Sequence, residues 1–378
     1  MSSSSGARAR AAVTSSAADS SAAEDAVAGA AEKFTTKEGW RRFVDEPLAP
    51  PAVSVSVSLP GTDGGQDGAE AAYRRARMDF HSQTVVVATP VMHRVSTAGR
   101  RLLVLNRYQR SARRGLMVTG PGGTGKTTAV TQLGKTHELA LRRDPDFDRG
   151  RPRIPVMYVT VPFACTPRML AVEFARFLGL PLPRRANLTD VVEAVCGVLA
   201  DVGCDLVIVD ELNNINLTTR SGSEVSDQLK YFSERLAVTF VYAGIDLAAT
   251  LFAGSRGQQI ASRFTSIHTS PFGYATRTER GQWQALVAGL EQTLRLYRHR
   301  AGTLPRLAGY LHDRTAGQIG SLSHLVREAA IEAISSGQER ITRAGLDLVA
   351  LDRTAENHHR ATRTARPRTR TPERDGAR

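Results

Sequence analysis

The residues best suited to chemistry follow the spacing G-x-x-x-x-G-K-[ST], which the chain carries as Gly120-Pro121-Gly122-Gly123-Thr124-Gly125-Lys126-Thr127. An apolar run over residues 115–119 precedes this segment, and a helical pattern from Thr128 follows it. A strand, a glycine-rich turn and a helix start together make a phosphate cradle, because backbone N–H groups and the positive helix end face one anion. We expect Lys126 to reach the β- and γ-phosphates of ATP and the Thr127 hydroxyl to hold Mg²⁺. The predicted nucleotide-binding residues run from Gly120 through Thr128.

A second motif is the acid pair Asp210-Glu211, which follows the apolar run Val207-Ile208-Val209. Such a run is typical of a fully buried parallel strand, whose carboxyl end lies at the edge of the sheet where nucleotides bind. Asp210 is therefore a candidate to hold Mg²⁺, directly or through water. Glu211 is a candidate to orient or deprotonate the attacking water. The competing interpretation is an ordinary strand end with solvated acids.

Arg263 is the third candidate, as an arginine that reaches the nucleotide of a neighbouring subunit and stabilises transition-state charge. It lies in the segment Gln258-Gln259-Ile260-Ala261-Ser262-Arg263-Phe264, after the fourth predicted strand. A surface arginine at a helix end is the competing interpretation, and Arg256 is the alternative candidate. No polar sensor is evident at the end of the fourth strand. Ile245 cannot contact a phosphate, and Asp246 is predicted to cap the helix that follows.

Strands and helices alternate around these motifs, which predicts an α/β fold with a parallel sheet and helices on both faces. We predict strands at residues 84–88, 115–119, 156–161, 205–210, 239–244 and, more weakly, 265–269. Helices are predicted at 70–80, 90–110, from 128, at 167–178, 188–202 and 225–236. From residue 278 the pattern is purely helical, with segments at 279–298, 304–314, 321–335 and 342–351. This change indicates a second, all-helical subdomain.

The composition narrows the class of partner. The chain has 378 residues, a hydrophobic content of 41% and a net charge of +13, which favours nucleic acid first and an anionic membrane surface second. A general bias toward arginine, with solvated charges, is the competing interpretation. The three cysteines have no metal-ligand spacing and are expected to be buried or idle thiols of a reducing cytoplasm. No apolar run approaches the length of a membrane span, and the N-terminus does not resemble a secretory signal.

Four regions are predicted. Residues 1–70 are rich in Ser, Ala, Pro and Gly and are expected to be mostly disordered, apart from a short helix around Phe34 to Val44 with Trp40 and Phe43 in intramolecular contact. Residues 71–272 are the nucleotide-binding α/β domain, and residues 273–352 the helical lid. Residues 353–378 are expected to be a disordered arginine-rich tail.

Together these motifs resemble the AAA+ ATPases, a class of P-loop NTPase. The lid segment from Thr315 to Ala330, TAGQIGSLSHLVREAA, is similar to the G-x-I-G-x-L-x-x-L-x-x-x-A-A segment of the TniB/TnsC-type transposition ATPases. The resemblance covers roughly residues 75–350. Gly320 and Ser321 stand where many AAA+ lids have a nucleotide-contacting arginine, and Asn213-Asn214 where relatives tend to have His-Asn.

The resemblance implies a regulator that assembles on double-stranded DNA with ATP as a homo-oligomer, with little sequence preference, and recruits or activates a transposase. Hydrolysis would disassemble it, and strand transfer would belong to the partner. Two other functions stay open. One is a nucleotide-switched ATPase of a signalling or defence system that acts through protein contacts without DNA. The other is a replication-type loader or helicase helper, which a DNA-binding domain after the lid would favour.

Overall fold

The computed structural model describes residues 34–47, 66–147, 152–182, 185–215, 219–247 and 262–365. Five strands form one sheet in the order β2-β3-β4-β1-β5, with every neighbouring pair parallel. Their bounds are β1 Gly115–Thr119, β2 Val156–Thr160, β3 Leu206–Asp210, β4 Thr239–Gly244 and β5 Phe264–His268. The predicted parallel α/β sheet is confirmed, including its weakest strand.

The helices come before, between and after these strands. Those up to β3 are α1 Lys37–Asp45, α2 Gln66–Ser82, α3 Pro90–Asn106, α4 Lys126–Leu141, α5 Pro167–Leu178 and α6 Leu188–Asp201, and a 3₁₀ turn spans Leu212–Asn214. The later ones are α7 Arg220–Arg235, α8 Arg277–Gln292, α9 Thr303–Arg306, α10 Ala308–Thr315, α11 Ile319–Ser335, α12 Arg343–Leu348 and α13 Arg353–Ala365. None of the described helices is long and apolar enough to cross a membrane.

Burial of the sheet explains why its strands read as apolar runs. Every residue of β1, β3 and β4 is buried, because helices cover both faces of a parallel sheet. In the pairing register Thr119 of β1 lies beside Gly244 of β4 and His268 of β5. The loops that follow these three strands therefore leave the sheet at the same edge.

The described residues contain two separate apolar cores. One surrounds the sheet and includes Leu116, Ile208 and Phe232. The other lies among the helices after the last strand and includes Trp283 and Leu322. Helices α8 to α12 form this second unit, called the lid below.

Two expectations need correction, and one is met. Residues 84–88 are in no strand: Val87 packs against the lid core, so this segment runs between lid and sheet and has no strand partner. Residues 37–45 form helix α1 within the short helix predicted around Phe34 to Val44, and Trp40 is 2% exposed and donates to Glu138 at 2.8 Å. Residues 353–365 form helix α13, since Ala355 is fully buried and Glu356 pairs with the buried Arg314 at 3.0 Å.

Candidate nucleotide site

The loop between β1 and α4 has backbone angles that glycine permits. Gly120 has φ +152°, and a Cβ on it would lie 2.1 Å from the carbonyl oxygen of Thr269. Gly123 and Gly125 have φ of +71° and +85°, in the left-handed region that side chains disfavour. The glycines of the motif thus let the chain turn tightly from the end of β1 into the start of α4.

Lys126 is buried in this turn, with 9% of its surface exposed. Its Nζ donates to the carbonyl oxygens of Gly120 at 2.8 Å and Pro121 at 2.7 Å. Burial lowers the pKa of Lys126, and the nearby carboxylates of Glu211 and Asp210 act in the opposite direction. The ammonium group is therefore already desolvated, and it can exchange carbonyl partners for phosphate oxygens with little further loss of hydration.

Thr127 and Thr128 follow on the first turn of α4, and both line the cavity described below. The helix begins after Gly125 without a side-chain cap, so its first N–H groups are free to meet an anion. Thr124 stiffens the loop by donating to the carbonyl of Pro121 at 2.8 Å. Its hydroxyl also contacts that of Thr269 at 2.7 Å, which ties the loop to the end of β5.

The two acids at the end of β3 differ sharply in environment. Asp210 is 1% exposed, accepts from the Tyr158 hydroxyl at 2.8 Å and accepts from the Glu211 N–H at 2.8 Å. Burial and the adjacent Asp210 raise the pKa of Tyr158, so the phenol stays a donor. Glu211 is half-buried with φ +57°, a strained conformation for a residue with a side chain. The Asn213 amide contacts its Oε2 at 3.3 Å.

A cavity of about 290 Å³ brings these residues together. At one end lie Gly122 to Thr128 and Glu211, and at the other lie Thr84 to Val87 and Met92. Ile319, Gly320 and Ser323 of the lid close one side. The cavity joins a cationic, N–H-rich end to an apolar end, as a nucleoside triphosphate requires.

The residues present fit Mg²⁺. The described part of the chain has no group of three or more His, Cys, Asp or Glu side chains placed to hold a metal. Mg²⁺ bound with a nucleotide needs only one or two protein oxygens beside the phosphates and water. The Thr127 hydroxyl, on the first turn of α4, and the Asp210 carboxylate, at the same edge of the sheet, would supply them.

The lid rests directly on the phosphate loop. The N–H of Gly320 donates to the carbonyl of Gly123 at 3.0 Å. Beside this bond lies Gln318, whose Oε1 accepts from Ser321 at 3.3 Å. Ser321 also donates to Asp352 at 2.6 Å. A backbone hydrogen bond therefore joins lid and loop where an arginine is common in AAA+ lids.

A family model described as "Bacterial TniB protein" matches residues 77–274, just over half of the chain. The chain belongs to the TniB family. The matched region holds both the phosphate loop and the acid pair, together with the strands that position them. A comparison with curated proteins found no match.

Solved structures show the same fold for this TniB-family protein. The Orc1 protein of Aeropyrum pernix, determined in complex with DNA, is 18% identical with a TM-score of 0.53, covering 72% of this chain and 65% of that one. The chain thus spans just under two thirds of the Orc1 length. The Orc2 protein of Aeropyrum pernix, determined as ADPNP-ADP complexes, is 17% identical with a TM-score of 0.50, covering 84% of this chain and 74% of that one. The fold is that of the AAA+ P-loop ATPases.

Arg263 lies away from the cavity. It directly precedes β5, and its carbonyl accepts from the N–H of Gly115 at the opposite edge of the sheet. Five residues of strand separate the two edges, roughly 16 Å. Its side chain is 41% exposed and lies 3.4 Å from Glu234. This TniB-family protein therefore cannot use Arg263 on its own nucleotide, and Arg256 lies outside the described residues.

The sequence does not indicate the roles of several site residues. Thr269 supports the loop from the end of β5, and Asn213 bonds both Glu211 and the N–H of Ile245, the latter at 2.9 Å. Asn213 thus brings an amide to the end of β4, where no polar side chain was evident. Thr84 to Val87 were assigned to a strand. These residues line the cavity because the segment packs between lid and sheet, and local sequence patterns do not predict such long-range packing. Asp246 has φ +47°, and most of the helix it was predicted to cap lies outside the described residues.

Proposed function

We propose that this TniB-family protein binds ATP with Mg²⁺, hydrolyses it, and uses the cycle to regulate DNA transposition. In this proposal it assembles on double-stranded DNA in the cytoplasm as an ATP-dependent homo-oligomer and recruits or activates a transposase. The observation that carries the proposal is the cavity in which a complete phosphate loop faces Glu211, within a chain of the TniB family.

Hydrolysis is assigned to the chain's own residues as follows. Lys126 and the first N–H groups of α4 hold the phosphate oxygens and stabilise the charge of the transition state. Glu211 accepts a proton from the attacking water, while the Asn213 amide at 3.3 Å holds the carboxylate in position. Mg²⁺ would neutralise phosphate charge when bound by Thr127 and Asp210.

The homo-oligomer is proposed from the position of Arg263. The phosphate loop opens at one edge of the sheet and Arg263 lies at the other, so a head-to-tail pair of copies would bring one copy's arginine to the next copy's nucleotide. Near that edge, at the end of α3, the side chains of Val104, Leu105 and Tyr108 are 70%, 63% and 87% exposed. Exposed apolar side chains of this size suit an interface between copies.

DNA binding is supported by the net charge and by arginines near the end of α3 and before β1. Arg100, Arg101 and Arg114 are exposed and Arg113 is half-buried. The related Orc1 fold was determined in complex with DNA. Phosphate contacts by such residues are independent of sequence and weaken steeply with salt, with a log–log slope near −0.9 per contact.

Fluorescence anisotropy with a labelled DNA duplex of arbitrary sequence, with and without ATP and Mg²⁺ across a salt series, tests this function. We expect ATP-stimulated binding. The double substitution Arg100→Gln with Arg101→Gln should reduce the magnitude of the log–log salt slope by the amount expected for about two phosphate contacts. Arg277→Gln on α8, also exposed, is the matched control and should leave the slope unchanged. If the protein hydrolyses ATP but has no DNA affinity at low salt, the signalling function replaces the transposition one.

A further inference from the structure

Ser323 is a polar residue of the cavity wall that the proposed hydrolysis does not use. It lies on lid helix α11 and lines the cavity. Its Oγ is buried and has no hydrogen-bond partner. Buried hydroxyls nearly always have a partner, so an orphan hydroxyl on a residue that lines a ligand cavity points to a group on the ligand.

Neighbouring serines behave differently. Ser321 donates to Asp352 at 2.6 Å, and Ser336, at the end of the same helix, donates to the Glu332 carbonyl at 2.7 Å. A helical serine without another partner commonly bonds the carbonyl four residues earlier. Ser323 makes no such bond, so no hydrogen bond opposes rotation of its hydroxyl toward a group inside the cavity.

The position of Ser323 along α11 decides which part of a nucleotide it meets. Ile319, one turn earlier, lies over the phosphate loop, 3.5 Å from where a Cβ on Gly125 would be. Arg327, one turn later, donates to the carbonyls of His81 (3.0 Å) and Ser82 and lies 3.4 Å from the Thr84 hydroxyl. Residues four apart share a helix face and are separated by about 6 Å along the axis.

A nucleotide bound in this cavity must extend from the phosphate loop toward residues 84–87, along the same path as helix α11 from Ile319 to Arg327. Its phosphates belong at the loop, and its base belongs among the apolar side chains of Val85, Val87 and Met92, next to the segment that Arg327 holds. Ser323 lies midway between these two ends. It is therefore beyond the phosphates and beside the nucleoside.

We propose that the Ser323 hydroxyl hydrogen-bonds the nucleoside part of the bound nucleotide and contributes to its selection. The inference rests on the proposed ATP site. A hydroxyl both donates and accepts, so a ribose hydroxyl and a base-edge nitrogen offer the same chemistry, and the experiment below separates them. The hydroxyl reaches either by rotation about χ1 between staggered positions.

The test compares ATP with inorganic tripolyphosphate, which has the phosphates but no nucleoside. In calorimetric titrations, Ser323→Ala should weaken ATP binding about 3- to 10-fold, the value of one neutral hydrogen bond. It should leave tripolyphosphate affinity unchanged. The nucleotide-free Ser323→Ala protein should melt at the same or a higher temperature than wild type, because the substitution removes an unsatisfied hydroxyl and favours the helix. Ser336→Ala is the matched control and should change neither affinity.

Nucleotide analogues then identify the contact. If a ribose hydroxyl is the partner, wild type and Ser323→Ala bind 2′-deoxy-ATP or 3′-deoxy-ATP equally. If the base is the partner, the penalty of Ser323→Ala persists with both analogues. With purine riboside triphosphate, which lacks the 6-amino group, the penalty vanishes when that amino group is the partner and persists when a ring nitrogen is.

Two results would overturn the inference while leaving the ATPase intact. One is Ser323→Ala binding ATP as tightly as wild type. The other is an equal loss for ATP and tripolyphosphate, which would make Ser323 a structural residue of the lid. If wild type binds neither ligand, the proposed function itself is wrong and the inference falls with it.

Discussion

The two walls of the nucleotide cavity are built in different ways. The floor, residues 120–128, obtains its shape from contacts inside the loop, such as Lys126 and Thr124 bonding the carbonyls of Gly120 and Pro121. The lid wall, Ile319 to Ser323, comes from far along the chain and is held by a backbone bond to Gly123 and by Arg327. The chemistry of the floor is encoded locally, whereas that of the lid wall depends on tertiary placement.

The largest effect should come from the acid beside the floor. Glu211→Gln keeps the size of the side chain and removes the base, so ATP turnover should fall about 10²- to 10⁴-fold while ATP binding is retained. Phosphate release and equilibrium titration measure the two quantities. Glu224→Gln, a half-exposed glutamate of α7 paired with Arg220, is the control. Unchanged turnover in Glu211→Gln would assign the base to another residue.

The next effect separates two buried lysines of α4. Lys126→Ala should weaken both ATP and tripolyphosphate binding about 10- to 100-fold, because a charge-assisted contact is lost. Lys135 donates to the carbonyls of Phe43 and Glu46 at 2.6 Å each. Lys135→Ala should instead lower the melting temperature and spare affinity. If Lys126→Ala bound ATP with wild-type affinity, residues 120–128 would not be the phosphate-binding site.

Acid should destabilise the protein through His81, which lies where helix α2 packs against the lid. Burial, and then the charges of Arg295, Arg77 and Arg327, lower the pKa of His81 to about 4. In the unfolded chain the pKa of His81 is near 6.5, so between about pH 4 and 6.5 the unfolded chain binds more protons than the folded one. The free energy of unfolding therefore falls as the pH drops from about 6.5 toward 4. The loss is at most about 3 kcal/mol.

Denaturant unfolding between pH 5 and 6.5 measures this slope above the range in which carboxylates titrate. His81→Gln should flatten it. His324→Gln, an exposed histidine of α11 paired with Glu328, is the control and should not. An equal slope in wild type and His81→Gln would contradict the assignment.

The smallest effect concerns the far side of the lid. Ser321→Ala removes the bond to Asp352, whose pKa is held below its usual range: burial opposes this, but hydrogen bonds from Ser321 and the N–H groups of Ala355 and Thr354 outweigh it. We expect a loss of about 1 kcal/mol. Amide exchange should rise in α13 and stay unchanged in α4. Equal changes in both helices would mean that the two walls are not independent.

The same contrast explains what could be predicted from the sequence. The loop, the five strands and most helices were predicted because glycine spacing, apolar runs and capping residues act over a few positions. The helix predicted at 90–110, for example, begins at Pro90, where the Thr89 hydroxyl accepts from the N–H of Met92. Residues 84–88 have a composition typical of a strand, yet Val87 packs against the lid core and the segment is not part of the sheet. The role of Ser323 could not be predicted from the sequence, because Ser323 lines the cavity only when helix α11 packs over the phosphate loop.

Helix α13 also changes where the basic C-terminus starts. Asp352 begins this helix by accepting from the N–H groups of Thr354 and Ala355, and Arg314 anchors it through Glu356. The helix is thirteen residues long, or about 20 Å at 1.5 Å per residue. In the sequence, Arg366, Arg368 and Arg370 come after this helix, which packs against α10. A truncation that removes these arginines and preserves α13 must therefore begin at residue 366.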